Sequence, residues 1–362
     1  MKIALVYDRV NKIGGAERVL EALHEVFPEA PLYTAVYNPE TAPWAKDFKV
    51  IPSFMQKIPF AKTHHELFPW LTPLAFESFD FSDFDLVVSI TSAEAKNILT
   101  KPKTFHLCYC LTPTRYLWSG LGEYKVPLIL KPLTSYLRFI DQVTSQRPDR
   151  YLAISKTVAL RIKKYYRRNA AVIYPGIDTQ KWRIIKRSRK NKPFFLVVSR
   201  LVAYKKTDLV IKAFNQLKKQ VVIVGVGSEF SKLQKMANSK YVKFTGQLTD
   251  EELLIYYNNC IAVIFPQEED FGLIPLEAQA CGKPVIAYRG GGARETVIEG
   301  KTGEFFYPQT KEALVEKIKG FDILKYKARD CRYQAERFDR EFFKKEFKKF
   351  VNKTINEYHK TS

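Results

Sequence analysis

The chain has 362 residues, 46% of them hydrophobic and 14% aromatic, which is apolar material for more than one packed core, argues against disorder over most of the length and implies two or three domains. Its formal net charge of +21 favours an anionic partner (nucleic acid, a membrane surface or a phosphorylated ligand) without choosing among them. Five cysteines in a chain of this size do not make a disulfide framework, and no second Cys or His pair stands at zinc-ligand spacing beside Cys108 and Cys110, so they read as buried thiols in a reducing compartment.

From the N-terminus, the apolar run Ile3–Tyr7 stops at Asp8, which suits a first buried strand better than a signal peptide. Gly14-Gly15 follows, ahead of a helix expected over Ala16–Phe27. Further buried strands are expected at Leu86–Ile90, Phe105–Cys110, Arg150–Ile154, Val172–Tyr174 and Phe194–Ser199. Gln220–Val224, Val242–Phe244, Ala262–Phe265 and Pro284–Ala287 continue the series. Continuous Val/Ile/Leu runs of this kind point to parallel strands covered by helices on both faces. Between them, Ser155 caps a helix reaching about Arg167, and helices are expected over Asp208–Leu217, Asp250–Asn258 and Ile274–Ala280. Strands alternating with helices predict doubly wound α/β sheets, and the number of strands predicts two domains.

The boundary falls at residues 181–192, where seven of twelve residues are Lys or Arg. This stretch is either a solvated linker or a patch for phosphate or membrane. The last segment, Arg340–Tyr358, places Phe343, Phe347, Phe350, Val351, Ile355 and Tyr358 at helical spacing among lysines. It either packs on a domain or lies on a membrane as a basic amphipathic helix. No uncharged apolar stretch approaches the roughly 18 residues a spanning helix needs. The expectation is a soluble or peripheral, cytoplasmic protein.

Five motifs sit where chemistry is expected. Gly14-Gly15 precedes a helix N-terminus, where free N–H groups meet a phosphate or sugar; a tight structural turn explains it equally well. Arg200 and Lys205 follow a strand, and two cations beyond a strand's carboxyl end suit a diphosphate, although a solvated basic loop is the alternative. Gly225-Val226-Gly227 resembles half of a dinucleotide fingerprint but lacks the third glycine, so it is either a ligand loop or a tight strand-to-helix turn. In the run Glu268–Ala278, Glu269 closes a strand, Pro275 suits the first turn of a helix and Glu277 lies in that turn. Seven residues separate the two carboxylates, which places both toward the crevice as acceptors for sugar hydroxyls; helix capping by the acids is the alternative. Gly290-Gly291-Gly292 follows another strand, where three glycines in a row imply a sharp bend or a close ligand.

Together these residues resemble the retaining family 4 glycosyltransferases, also called glycosyl transferases group 1, which have the GT-B fold. The resemblance covers nearly the whole chain. It rests on Gly-Gly-Ala-Glu-Arg-Val (14–19), Tyr-Pro-Gly-Ile-Asp (174–178), the Arg200/Lys205 pair, the Glu269/Glu277 spacing and Gly-Gly-Gly-Ala-Arg-Glu-Thr (290–296). The run Glu268–Ala278 and Thr-Pro-Thr-Arg-Tyr-Leu-Trp (112–118) are similar to the mannosyltransferases that build lipopolysaccharide O-antigen or exopolysaccharide.

The resemblance implies two Rossmann-like domains facing each other across a cleft. Residues 1–180 would form the acceptor-side domain, completed by a C-terminal helix over 340–362 that crosses back to it. Residues 181–192 would be a basic linker, and residues 193–339 would bind the nucleotide sugar. Arg200 and Lys205 would bind the diphosphate and Glu277 the ribose, while Glu269 would contact the hexose. Phe271, Gly272 and Leu273 would line the donor, Gly246 would lie near the base, and Gly14 and Gly15 would close onto the phosphate or acceptor. Thr112, Arg115 and Tyr116 would belong to the acceptor or sugar pocket. The implied donor is a GDP- or UDP-sugar, GDP-mannose first, and the acceptor a glycan or a lipid-linked glycan. No cofactor and no metal are implied, and no Asp-x-Asp pair is suited to one.

One departure matters. Many relatives carry His before the Thr-Pro, in contact with the donor sugar, and this chain has Leu111; His106 stands five residues earlier. Rival readings are a GT-B-fold UDP-sugar epimerase and a non-catalytic sugar-nucleotide-binding protein. A nucleic-acid binder accounts for the charge, but no binding-module signature is present, so no nucleic-acid partner is expected. The charge, with the aromatic and basic stretch Phe54–Trp70, also fits docking on an anionic membrane at the inner face.

Overall fold

The computed structural model describes residues 1–118, 131–186 and 192–361. The chain divides into two compact units, Met1–Pro175 with Phe343–Ser362 (unit 1) and Gly176–Phe342 (unit 2).

Among the described residues, unit 1 is built on seven strands: β1 (Ile3–Tyr7), β2 (Leu32–Thr34), β3 (Val50–Pro52), β4 (Leu86–Thr91), β5 (Phe105–Cys110), β6 (Arg150–Ala153) and β7 (Ala170–Val172). They pair in parallel in the order β3-β2-β1-β4-β5-β6-β7. Every residue of β4 and β5 is buried, as a parallel sheet with both faces covered requires. The covering helices are α1 (Gly15–Val26), α2 (Thr72–Glu77), α3 (Lys131–Thr144) and α4 (Lys156–Tyr166). Ser155 caps α4, its Oγ accepting from the Val158 N–H at 3.0 Å.

Strands β2, β3 and β7 have three residues each, and at β2 and β3 no apolar run registers in sequence. The strand expected at Val172–Tyr174 forms instead at Ala170–Val172. Its register is set by pairing with Tyr151–Ala153 of β6 rather than by its own apolar side chains.

Among the described residues, unit 2 has six parallel strands: β8 (Phe195–Val198), β9 (Val221–Val224), β10 (Val242–Gly246), β11 (Val263–Phe265), β12 (Val285–Tyr288) and β13 (Gly303–Phe306). Their order is β10-β9-β8-β11-β12-β13. Its helices are α5 (Thr207–Leu217), α6 (Phe230–Met236), α7 (Asp250–Asn259), α8 (Leu273–Ala280), α9 (Ala293–Thr296), α10 (Lys311–Lys319) and α11 (Ala328–Glu336). Val197, Ile223, Ile264 and Ile286, one from each of four strands, meet Phe214 of α5 and Leu314 and Ile318 of α10 in a single core. Each such side chain contributes about 1.5–3 kcal/mol by leaving water. Strand β13 went unseen in sequence because its opening glycine and central glutamate break the apolar run.

The chain ends in α12 (Arg340–Thr361). Its stripe of Phe343, Phe347, Val351 and Ile355 is buried. Phe347 meets Tyr109 of β5 and Phe27 at ring separations of 5.5 and 6.4 Å. This apolar face is therefore part of the core of unit 1, which overturns its reading as a membrane-facing surface. Among the described residues no helix is long and apolar enough to cross a membrane. All five cysteines are buried and none is in a disulfide. Residues 187–191 of the expected basic linker lie outside the described residues. Ahead of them, Trp182 is buried against Tyr257 with ring centroids 5.4 Å apart, and Lys181 pairs with Asp250.

His106 on β5 is fully buried, its Nε2 lying 2.8 Å from Ser89 Oγ on β4. Burial, reinforced by the charges of Arg147 and Arg168, lowers its pKa to about 3. An unfolded His titrates near 6.5, so between these values the unfolded chain binds a proton that the folded chain refuses. The resulting stability is complete above about pH 6.5 and is lost as pH falls toward 3. The urea midpoint is expected to drop between pH 7 and pH 4.5, and His106→Gln to flatten part of that slope. An unchanged slope in the variant, at equal folding, would refute the assignment.

Candidate functional site

The strand order of unit 2 reverses between β8 and β11, and ligands in open α/β sheets bind beyond the carboxyl ends of strands at such a switch point. The loop after β8 carries Arg200 and, in a 3-10 turn over Ala203–Lys205, Lys205. The loop after β11 carries Glu269. The ammonium of Lys205 and Oε1 of Glu269 form an ion pair, with side chains only 11% and 18% exposed. Tyr204 ties the cations together. Its hydroxyl accepts from Arg200 Nη2 at 2.8 Å, and its ring lies 4.8 Å from the Lys205 ammonium. Arg200 itself is exposed.

Gln267, on the same loop as Glu269, is 1% exposed, with its Nε2 3.5 Å from Glu269 Oε1. Its own Oε1 is buried without a hydrogen-bond partner among the described residues, an arrangement that costs stability unless some donor reaches it.

Beyond this loop the chain turns through Gly272, at φ +90°, into α8. Phe271 is buried and Leu273 half-buried. Pro275 is the third helical residue and Glu277 the fifth, so Glu277 lies just past the first turn, not in it. The first turn holds no acid. The Glu277 carboxylate is 3% exposed, and Oε2 accepts from the Tyr257 hydroxyl at 2.8 Å.

Two glycine clusters back these loops. At Gly225, φ is +135° and a Cβ would stand 1.9 Å from the Ser199 carbonyl oxygen; at Gly227 it would stand 2.3 Å from that of Leu201. The half-fingerprint is thus a turn on which the Arg200 segment rests, backbone against backbone. At Gly291, φ is +55° and a Cβ would stand 2.1 Å from the Glu269 carbonyl oxygen, which also accepts from the Gly292 N–H at 2.8 Å. Gly246, at φ +76°, has nothing among the described residues within 4 Å of where a Cβ would be, and its carbonyl accepts from the Gly225 N–H at 2.8 Å.

In unit 1 the order reverses between β1 and β4. Asp8, after β1, accepts from Thr91 Oγ1, Ser92 N–H and Ala95 N–H at 2.7–2.8 Å. Arg9 pairs with Glu94 at 2.6 Å, and Glu94 also accepts from the Tyr116 hydroxyl at 2.5 Å. Lys96, wholly buried, pairs with Asp141 at 2.5 Å, and Asp141 accepts in addition from Thr114 Oγ1 and Trp118 Nε1. Of the residues singled out in sequence, Thr112 is buried, its Oγ1 without a hydrogen-bond partner among the described residues, Arg115 and Tyr116 are half-buried, and Leu111 is 7% exposed. Gly14 is the extended N-cap of α1, so its backbone places no demand for glycine, and Gly15 is the first helical residue. Sequence reading missed Tyr204, Tyr257 and Gln267 in unit 2, and Arg9, Glu94, Lys96 and Asp141 in unit 1.

Two families match the chain: Glycosyltransferase Family 4 over residues 13–181 and Glycosyl transferases group 1 over residues 178–338. The GDP-mannose-dependent alpha-(1-6)-phosphatidylinositol monomannoside mannosyltransferase of Mycolicibacterium smegmatis is 36% identical over 155 residues, 36% of this chain and 41% of that protein. An uncharacterized glycosyltransferase of Methanocaldococcus jannaschii is 26% identical over 185 residues, 50% of this chain and 52% of that protein. The chain thus spans about half the length of these curated relatives. The crystal structure of Anabaena HepE in complex with UDP superposes with a TM-score of 0.73 over 98% of this chain and 100% of that chain, at 18% identity, a likeness of fold. The two parallel Rossmann-like sheets, and family matches that together run from residue 13 to residue 338, make the chain a member of the group 1 and family 4 glycosyltransferases, with the GT-B fold.

Proposed function

We propose that the chain is a retaining, metal-independent hexosyltransferase that moves mannose from GDP-mannose to a glycan or lipid-linked acceptor in cell-surface polysaccharide synthesis. The observation that carries this reading is the Lys205–Glu269 pair at the switch point of unit 2. It sets a cation fit for a diphosphate beside a carboxylate fit for sugar hydroxyls. In this reading residues 193–339 hold the donor. Arg200 and Lys205 bind the diphosphate, Glu269 the hexose and Glu277 the ribose, and Phe271–Leu273 line the donor. The open space at Gly246 leaves room for a base. Residues 1–180 with the C-terminal helix take the acceptor, Gly14 and Gly15 meet a phosphate or the acceptor, and Thr112, Arg115 and Tyr116 belong to its pocket. The mycolicibacterial relative's use of GDP-mannose supports the choice of donor.

The reaction is a front-face displacement. The acceptor oxygen bonds to the anomeric carbon as the bond from that carbon to the diphosphate oxygen breaks. The acceptor proton passes to an oxygen of the leaving diphosphate. Arg200 and Lys205 stabilise the charge that grows there, and to do so Lys205 must exchange part of its contact with Glu269 for phosphate oxygens. Lys205→Ala is expected to lower turnover about 10²–10³-fold; near wild-type turnover would sink this role. Calorimetry with GDP-mannose, UDP-glucose and UDP-N-acetylglucosamine tests the donor. Tightest binding of GDP-mannose is expected, and preference for a UDP-sugar overturns the choice of mannose.

We further propose peripheral docking on the inner face of an anionic membrane, at the cytoplasmic side. In unit 1, Phe60, Leu67 and Trp70 are 74%, 58% and 48% exposed, with the exposed Lys57 and Lys62 among them. Exposed apolar side chains and basic charge close together in the chain suit an anionic bilayer. Flotation with phosphatidylserine-containing vesicles is expected to carry the protein, and flotation with phosphatidylcholine vesicles is not. Equal absence from both rejects docking.

A further inference from the structure

Away from the Lys205–Glu269 switch point, unit 2 has a cleft of about 590 Å³ along its edge strand β13, walled by α10 and by the segment that follows it. That volume lies within the usual range for ligand pockets. The charge of the cleft departs from that of the chain. Three cations line it, Arg289, Lys317 and Lys325, against four acids, Glu299, Glu304, Glu316 and Asp322. The sum, three minus four, is −1 in a protein whose sum is +21. A phosphate, an anionic lipid or a nucleic acid would be repelled or at best indifferent here.

The charges are also engaged with one another. Arg289 pairs with Glu299, and Lys317 pairs with Glu304 at 3.1 Å. The Tyr326 hydroxyl donates to Glu304 at 2.5 Å. Burial works to raise the pKa of Glu304, but the Tyr326 hydroxyl and the Lys317 ammonium outweigh it and bring the carboxyl below its usual range. The result is a set of fixed carboxylate and ammonium groups with spare hydrogen-bonding capacity and little surplus charge. Such groups suit neutral hydroxyls better than ions.

Aromatic faces complete the cleft. Tyr307 is 69% exposed and stacks on Tyr288 at 6.3 Å and 19°. Phe321 and Tyr326 stack at 5.1 Å and 11°. A flat ring held by a second ring behind it presents a rigid face to the C–H surface of a hexose, at little loss of side-chain freedom.

We propose that this cleft binds an uncharged saccharide, with Tyr307 stacked on a hexose face and the Glu304–Lys317–Tyr326 cluster bonded to its hydroxyls. It is a second carbohydrate site, separate from the donor site, suited to hold a stretch of the growing glycan. The assignment of the bound chain as glycan product rests on the proposed transferase activity; the binding itself does not. Arg289 immediately precedes Gly290–Gly292, which back the Glu269 loop, so a glycan held here lies on an element contiguous with the donor loops.

Calorimetry of the full chain with mannotriose, maltotriose and cellotriose tests the site. At least one is expected to bind. Tyr307→Ala, a change at an exposed ring, is expected to weaken that binding about tenfold. GDP-mannose affinity is expected to stay unchanged in that variant, and saccharide binding to stay unchanged in Lys205→Ala. In transfer assays Tyr307→Ala should lower kcat/KM for long glycan acceptors and spare short ones. If no donor is turned over, the transferase reading fails, while trisaccharide binding that depends on Tyr307 still upholds the site. Absence of binding by all three trisaccharides, or binding undiminished in Tyr307→Ala, overturns the proposal.

Discussion

Pairing of β8 with β11, through Leu196 and Val263, governs unit 2. Two strand–helix repeats separate these strands in sequence, yet they are neighbours in the sheet, because β9 and β10 build outward on one side and β12 and β13 on the other. The consequence of that layout is that the loops after β8 and β11 rise side by side, and Lys205 meets Glu269 across 64 residues of chain. The flanking strands β9 and β12 end in the glycine clusters. These have no side chains because the main chains of the charged loops occupy that space. Two loops thus carry functional groups and two support them.

The same reversal in unit 1 is furnished differently. There the groups are drawn inward: Asp8 is consumed by Thr91, Ser92 and Ala95, and Lys96 by Asp141. A charge with no access to water is tolerated only when paired and fully hydrogen-bonded, and Asp141 meets that demand with Thr114 and Trp118 as well as Lys96. Unit 1 therefore presents half-buried polar residues, Arg115 and Tyr116, on a rigid and internally neutralised base.

What was legible in the sequence follows from burial. Strands covered on both faces, such as β1, β5 and β9, announce themselves as apolar runs, and their limits were read to within a residue. The short strands β2 and β3, and β13 with its glycine and glutamate, carry no such run; their existence is a matter of pairing. In the candidate site, Lys205 and Glu269 stood out in the sequence because each follows an apolar strand run, and Glu277 because of its spacing from Glu269. Tyr257 was not, since a tyrosine inside a helix looks like core until its partner, 20 residues away, is known. The Gly225 and Gly291 clusters were ambiguous because sequence does not say whether a glycine admits a ligand or a neighbouring backbone.

Unit 2 is an insertion in unit 1, and its two ends are stitched together. The Ile177 N–H donates to the Phe338 carbonyl and the Arg340 N–H to that of Ile177, both at 2.9 Å, and a side chain at Gly176 would strike the Arg340 backbone at 2.5 Å. On a ribosome this topology inverts the order of completion. The first unit to begin is the last to close, because Tyr109 on β5 waits for Phe343 and Phe347 while the inserted unit already has everything it needs. A messenger cut short after the codon for Phe342 would yield a finished Rossmann-like unit tethered to an open one, its aromatic wall bare to chaperones and proteases.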